Sequence, residues 1–307
     1  FKTKMIGYIT GTRQTVLAKA LHASNVMGAS VIVSCAGGSL ECSPSPSSGE
    51  ELIVKEILDN GTVLVMPAGN GLDGHHCGSH NNYQAFYPFH PSYDDRIIIV
   101  SSTSKDDNHQ FFINNDIEVT HSHFAEVDIC APGYELMGAV VTQCGNNNWP
   151  YWGGFRGTSF ASPIVAGVCA LIKSINPDFT PAEIQYFIKS TADPINDEFN
   201  YQGMLGAGRI SAFKAVEMAH NCEPIVIDTD EIWTEDKIIV CGIKIINDAK
   251  LTITSNVLLS KRSTIIVEQG SELIIDGGHL TSLDNYAWQG IEVWGEKNKS
   301  QIPLPGQ

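Results

Sequence analysis

Apolar positions between residues 15 and 101 fall into two alternating kinds of run. "TVLAKALHASNVMG" has helical spacing and stops at Gly28, while "SVIVSC" is a short β-branched run. A polar loop with "CSPSPSSG" leads to "EELIVKEILDNG", a helix with a glycine stop, and then come "TVLVM" and "RIIIVSS". Continuous apolar strands separated by helices predict an α/β fold, a doubly wound, mostly parallel sheet covered on both faces. The stretch between Gly69 and Asp95, rich in His, Asn, Tyr and Pro, is expected as a surface loop. "GGFRGTSFASPIVAGVCALIKSINP", Gly153 to Pro177, is apolar nearly all round, which predicts a buried helix. In "TPAEIQYFIKSTA", Thr180, Pro181 and Glu183 spell a capping box with proline in the first turn. "GRISAFKAVEMAHN" reads as the last helix of this unit.

Near Cys222 the pattern changes. Only short β-type runs follow: "KIIV", "IKII", "KLTIT", "NVLL", "TIIV", "ELII" and "GIEVW". "KLTITSNVLL" at 250 is echoed by "ELIIDGGHLT" at 272, a period of about 22 residues that suggests a parallel β-helix or similar solenoid. A β-sandwich is the alternative. The expected division is therefore 1–221 and 222–307, the second part all-β and its solenoid continuing beyond Gln307.

Charge narrows the function. The 307 residues carry a net charge of −15, which argues against nucleic acid and against anionic membrane surfaces as partners. The 153–177 helix is expected to be too short to span a bilayer and broken by Pro163. The start at Phe1, in mid-pattern, reads as a fragment or a processed form. Of eight cysteines, none forms a C-x-x-C pair, so zinc ribbons and thioredoxin-like motifs find no support. Cys35 and Cys169 lie in apolar runs and are expected as buried thiols. Cys42, Cys77, Cys144 and Cys222 lie in loop-like surroundings suited to disulfides in an oxidising compartment.

Three stretches carry candidate chemistry. In "GTSFASPIVAG", Gly157 to Gly167, Ser159 sits at the start of a helix, where orphan N–H groups and the helix dipole favour developing negative charge. Its hydroxyl is either a cap or a nucleophile. Pro163 is expected in the first turn, where no donor is lost. The stretch is not the esterase elbow, because Ala161 stands where that motif needs glycine. In "VLVMPAGNG", Val63 to Gly71, a strand ends at Asn70 on the carboxyl edge of the sheet, where α/β ligand sites lie. Its amide is either an oxyanion donor or a turn residue. In "VIVSCAGGS", Val31 to Ser39, a strand ends in two glycines whose bare backbone can pair with an extended peptide, or simply turn.

Taken in this order, the three resemble the subtilisin-like serine proteases, the subtilase family. "GTSFASPIVAG" is similar to the family's nucleophile motif, "PAGNG" to its oxyanion-hole motif and "VIVSCAGG" to its substrate-binding strand. "HFAEVDICAPG", "TPAEIQYFIKSTADP" and "GMLGAGRISAFKAV" resemble later family segments, so the likeness runs from residue 5 to 219. The resemblance implies a secreted or cell-surface endopeptidase cleaving polypeptides through an acyl-enzyme on Ser159, with Asn70 and the Ser159 N–H as oxyanion donors. Backbone at Cys35, Ala36 and Gly37, and at Pro67, Ala68 and Gly69, would line the cleft. Calcium is the one metal the resemblance brings, without an Asp-rich loop to assign its ligands.

The sequence departs from the family in one respect that matters. Neither D-[ST]-G nor H-G-T-x-V precedes Val31, so the Asp and His of the triad are expected from an upstream segment, and this chain alone should be inactive. His22 falls within a helix and reads as a surface residue; Asp73-Gly74-His75 follows Asn70 rather than preceding it. "HHCGSH" (His75, His76, Cys77, His80) and "HSH" (His121, His123, on one face of a strand) form a further metal hypothesis. Two other readings stand beside the enzyme. One is a subtilase-like binding module without activity. The other is an adhesion or carbohydrate-binding β-helix, with Tyr286, Trp288 and Trp294 as stacking platforms or as core.

Overall fold

A computed structural model describes residues 7, 13–35, 37–38, 47–70, 83–84, 93, 96–113, 117–119, 121–139, 151–284 and 286–295. Its contacts divide the chain into two compact units, Phe1–His220 and Asn221–Gln307.

In the first unit α1 (Arg13–Asn25) leads to β1 (Val31–Val33) and β2 (Gly37–Gly38), and α2 (Ser48–Asp59) to β3 (Val63–Pro67) and β4 (Tyr83–Gln84). Then come β5 (Ile97–Thr103), β6 (Phe111–Ile113), β7 (Ile117–Val119), β8 (Ile129–Pro132), β9 (Leu136–Ala139) and β10 (Tyr151–Phe155). The unit closes with α3 (Thr158–Ile175), α4 (Pro181–Ser190) and α5 (Ala212–His220). The central sheet is parallel, in the order β1-β3-β5-β8. Alternation along its buried strands separates two cores. Leu64, Met66, Ile97 and Ile99 pack with Leu17 of α1 and Ile57 and Leu58 of α2. The opposite face of β3 and β5 meets α3. This is the doubly wound arrangement that the sequence predicts.

Local signals account for the helix starts. Ser47 and Glu50 form a capping box on α2, and Thr180 and Glu183 form the predicted one on α4. The antiparallel β9–β10 hairpin has no counterpart among the predicted elements.

α3 differs from expectation in three ways. It is 18 residues long and, among the described residues, the one helix long and apolar enough to cross a membrane, which corrects the reading that it is too short. It is not buried all round. Ala161, Val165, Cys169 and Ile172 face the sheet, whereas Phe160, Ile164 and Leu171, at helical spacing, are 40%, 37% and 39% exposed. Finally, Pro163 lies in the second turn rather than the first, because the helix begins as early as Thr158, and the helix runs on past it to Ile175 instead of breaking.

In the second unit β11 (Ile225–Ile227), β12 (Glu231–Trp233), β13 (Lys237–Ile239), β14 (Ile243–Ile245), β15 (Lys250–Ile253) and β16 (Asn256–Leu259) follow one another. They continue as β17 (Thr264–Val267), β18 (Glu272–Ile275), β19 (His279–Ser282) and β20 (Gly290–Val293). Among the described residues every pairing of this unit is parallel, in three ladders: β11-β14-β17-β20, β12-β15-β18 and β13-β16-β19. Lys250 pairs with Glu272 and Leu251 with Leu273, the register that the echoed sequence suggests. Inward residues stack in apolar columns, Ile243 on Ile265 and Leu251 on Leu273 among them. Cys222 and Cys241 are joined by a disulfide. The sequence reading had grouped Cys222 with Cys42, Cys77 and Cys144, which lie outside the described residues. Trp288 packs against the core of this unit, while Lys261 covers Tyr286 and Lys244 covers Trp294.

Candidate active site

The carboxyl ends of β3 and β8 converge on the start of α3. Gly133, just after β8, accepts the Gly157 N–H at 2.8 Å. Gly157 itself has φ of +129°, which places Thr158 and Ser159 on the first turn of α3. That turn leaves N–H groups without helical acceptors. Asn70 supplies one. Its Oδ1 accepts the Thr158 N–H at 2.8 Å and lies 3.1 Å from Thr158 Oγ1. Thr158, fully buried, also ties itself to the turn after β3: its Oγ1 accepts the Gly69 N–H and donates to Gly69 O, both at 3.0 Å.

Asn70 is thus fixed by its oxygen, so its Nδ2 is the donor face. A Cβ on Gly157 would meet that Nδ2 at 3.0 Å, so the carboxamide lies directly over residue 157. Ser159, half-buried, is two residues further on. The structure therefore brings the Asn70 amide and the Ser159 segment to one place, although 88 residues separate Asn70 from Thr158. The Thr-Ser pair is expected from sequence at the helix start; what sequence reasoning missed is that Thr158 bonds Gly69 and Asn70 across the sheet.

The other predicted site residues fall nearby or outside view. Pro67, Ala68 and Gly69 form the end of β3 and the turn after it, held by Ala68 N–H to Val100 O at 2.8 Å. Gly37 and Gly38 pair antiparallel with Gln84 and Tyr83, so part of their backbone edge is already taken. Ala36 lies outside the described residues. Cys35, expected as a buried thiol, is instead exposed, with its Sγ 3.4 Å from Ser159 O. Cys169 is buried as expected. His22 is exposed, as expected for a surface residue.

The histidines tell a different story from the metal hypothesis. "HHCGSH" lies outside the described residues. His121 and His123 are not in a strand and their nitrogens find separate partners, which corrects the expectation of one shared face. His121 Nδ1 meets Ser102 Oγ, and His123 Nδ1 lies 3.2 Å from Nε2 of His109. His109, also buried, bonds Ser102 O through Nδ1 at 2.9 Å. Burial lowers both His109 and His121 to about 4, with their mutual repulsion adding to the effect for His121. Ser122, between the two "HSH" histidines, gives its N–H to Gly69 O at 3.1 Å, so this cluster abuts the turn that carries Asn70. Among the described residues no group of three or more His, Cys, Asp or Glu is arranged to hold a metal ion.

Residues 4–208 match the Subtilase family, Peptidase S8. The chain is 27% identical over 200 residues to an extracellular protease of Xanthomonas campestris pv. campestris, covering 64% of the chain and 30% of that protein. It is 29% identical over 203 residues to thermitase of Thermoactinomyces vulgaris, covering 66% and 60%. It thus spans 30% to 60% of the length of these curated relatives. The prenylagaramide maturation protease PagA superposes with a TM-score of 0.51 at 22% identity, over 70% of each chain, a likeness of fold alone. Well over half of the sequence lies within the match, and its Asn70, Thr158 and Ser159 segments meet at one sheet edge: the chain belongs to the subtilase family of serine proteases.

Proposed function

We propose that this chain carries the nucleophile and the oxyanion donors of a serine endopeptidase. Ser159 Oγ attacks the peptide carbonyl carbon, a C–O bond forms, and the carbonyl electron pair moves onto oxygen. Asn70 Nδ2 and the Ser159 N–H stabilise that oxyanion; the Ser159 proton passes to a histidine, which delivers it to the departing amine. Water then cleaves the acyl-enzyme by the reverse sequence. The observation that carries this reading is the bond from Thr158 N–H to Asn70 Oδ1, which holds the Asn70 carboxamide beside the turn bearing Ser159 with its amide protons as donors.

The histidine and its aspartate come, in this reading, from a polypeptide segment outside the motifs matched here. Two surfaces suit such a segment. Phe160, Ile164 and Leu171 present an exposed apolar stripe on the nucleophile's own helix, and β1 is an edge of the central sheet among the described residues. Stripes of this kind mark interaction sites. The substrate is an extended polypeptide lying along the backbone at Cys35–Gly37 and Pro67–Gly69. Secretion is consistent with the Cys222–Cys241 disulfide, since such bonds persist in oxidising compartments. Strands β11 to β20 form, in the same reading, successive coils of a parallel β-helix.

The test is a fluorophosphonate probe on the chain combined with its Asp- and His-bearing segment. Labelling at Ser159, abolished by Ser159→Ala, is expected. A folded complex in which Ser159 stays unlabelled refutes the proteolytic reading in favour of a binding module.

A further inference from the structure

Each helical carbonyl normally accepts the N–H four residues ahead. Ser159 O cannot, because residue 163 is proline and has no N–H. A backbone carbonyl left in this way takes another donor. Here Cys35 Sγ lies 3.4 Å from Ser159 O, reaching across 124 residues of sequence. Sulfur hydrogen bonds are longer than those of oxygen, and a thiol is a weak donor. The protein packed around Cys35 pushes its thiol up, so the proton needed for donation stays on sulfur at neutral pH. Cys35 nevertheless reaches solvent.

We infer that Cys35 is a positioning residue for the nucleophile: its S–H holds the Ser159 carbonyl released by Pro163, and so sets the orientation of the turn bearing the Ser159 hydroxyl and N–H. The inference rests on the reading of Ser159 as nucleophile. The first turn is held from outside its helix on both sides of the Thr158–Ser159 peptide. Asn70 grips the Gly157–Thr158 peptide through Thr158 N–H, and Cys35 grips the Ser159–Phe160 peptide through Ser159 O. One restraint comes from the end of β3 and the other from the end of β1, so two parallel strands fix the peptides on either side of the one that carries the Ser159 N–H. A consequence is that a serine protease of this sequence is sensitive to thiol reagents, because an adduct on exposed Cys35 removes the donor and adds bulk against Ser159.

The inference is tested in two ways. In the chain itself, NMR of the Ser159 carbonyl carbon reports its acceptor bond without any catalysis. Its resonance is expected to move upfield in Cys35→Ala and to return towards the wild-type position in Cys35→Ser; an unmoved resonance overturns the inference whatever the activity. In the protease assembled with its Asp- and His-bearing segment, Cys35→Ala is expected to lower kcat about 2- to 5-fold with KM little changed, the scale of one weak hydrogen bond. Cys35→Ser recovers most of that loss. Iodoacetamide lowers the wild-type rate by more than about tenfold and has no effect on the Cys35→Ser rate, an expectation from bulk placed beside the nucleophile. Equal kcat in wild type and Cys35→Ala, a Cys35→Ser variant no better than Cys35→Ala, or full activity after alkylation each overturn it. An absence of Ser159 phosphonylation refutes the proteolytic reading alone, and the carbonyl resonance still decides the role of Cys35.

Discussion

Asn70 Oδ1 accepts the backbone N–H of Thr158 at 2.8 Å, so a side chain from the end of one strand caps the helix that begins beside the proposed nucleophile. The bond orients the carboxamide, because an amide whose oxygen is engaged presents its N–H groups elsewhere. A cap and an oxyanion donor are therefore one residue in two roles.

Asn70→Ala removes both. In the assembled protease kcat is expected to fall about 10²–10³-fold, the usual scale for losing one oxyanion donor, with KM nearly unchanged. Steady-state kinetics on a peptide substrate measures it. A loss confined to KM would assign Asn70 to substrate binding instead.

Gly157→Ala tests the same contact from the other side. The added Cβ would meet Asn70 Nδ2 at 3.0 Å, on a backbone with φ of +129°. Strain of about 1–3 kcal/mol is expected from the backbone conformation alone. Phosphonylation of Ser159 should slow by at least about tenfold as Asn70 is displaced, read from the rate of probe incorporation.

The buried histidines predict an acid limit to stability. His109 and His121 are both held near 4, below the ordinary imidazole value of 6.5. The unfolded chain then binds more protons than the folded one between those values. Their contribution is therefore complete above about pH 6.5 and is lost as pH falls towards 4, on the order of 3 kcal/mol for each. Groups facing them include His123, Asp197, Arg156 and Tyr201. His109→Gln should flatten the dependence of unfolding midpoint on pH over this window; an unchanged slope counts against the cluster as its cause.

The Cys222–Cys241 disulfide closes a loop of sequence separation 19 at the head of the second unit. Replacing both cysteines by serine is expected to destabilise that unit by about 3 kcal/mol, from the loop entropy restored to its unfolded chain. Fluorescence of Trp233, only 6% exposed, follows its unfolding. A midpoint that does not move would show that the parallel ladders hold without the link.

Much of this architecture is legible in the order of the residues. Buried strands such as β5 open with apolar residues on both faces, Ile97 to Val100, helix starts such as Thr180–Glu183 carry their own caps, and the repeat at 250 and 272 sets the register of Lys250 on Glu272. These signals are local, each contained within a few residues or one period. The exposed stripe of α3 was not legible, because an apolar helix looks the same whether its second face is covered by this chain or another. Nor was the hairpin of β9 and β10, in which Gly138, Gly153 and Gly154 blur the alternation.

The site divides in the same way. That Ser159 opens a helix and Asn70 ends a strand follows from spacing and residue type alone, since a periodic run must start or stop somewhere. That one grips the other's helix through Thr158, that Cys35 replaces the donor Pro163 cannot provide, and that two buried histidines stand behind the turn of Asn70 were decided by tertiary structure. The reason is physical. Helix and strand preferences act between near neighbours, whereas a hydrogen bond joining residues 88 or 124 positions apart exists only once the packed sheet has brought its strand ends together.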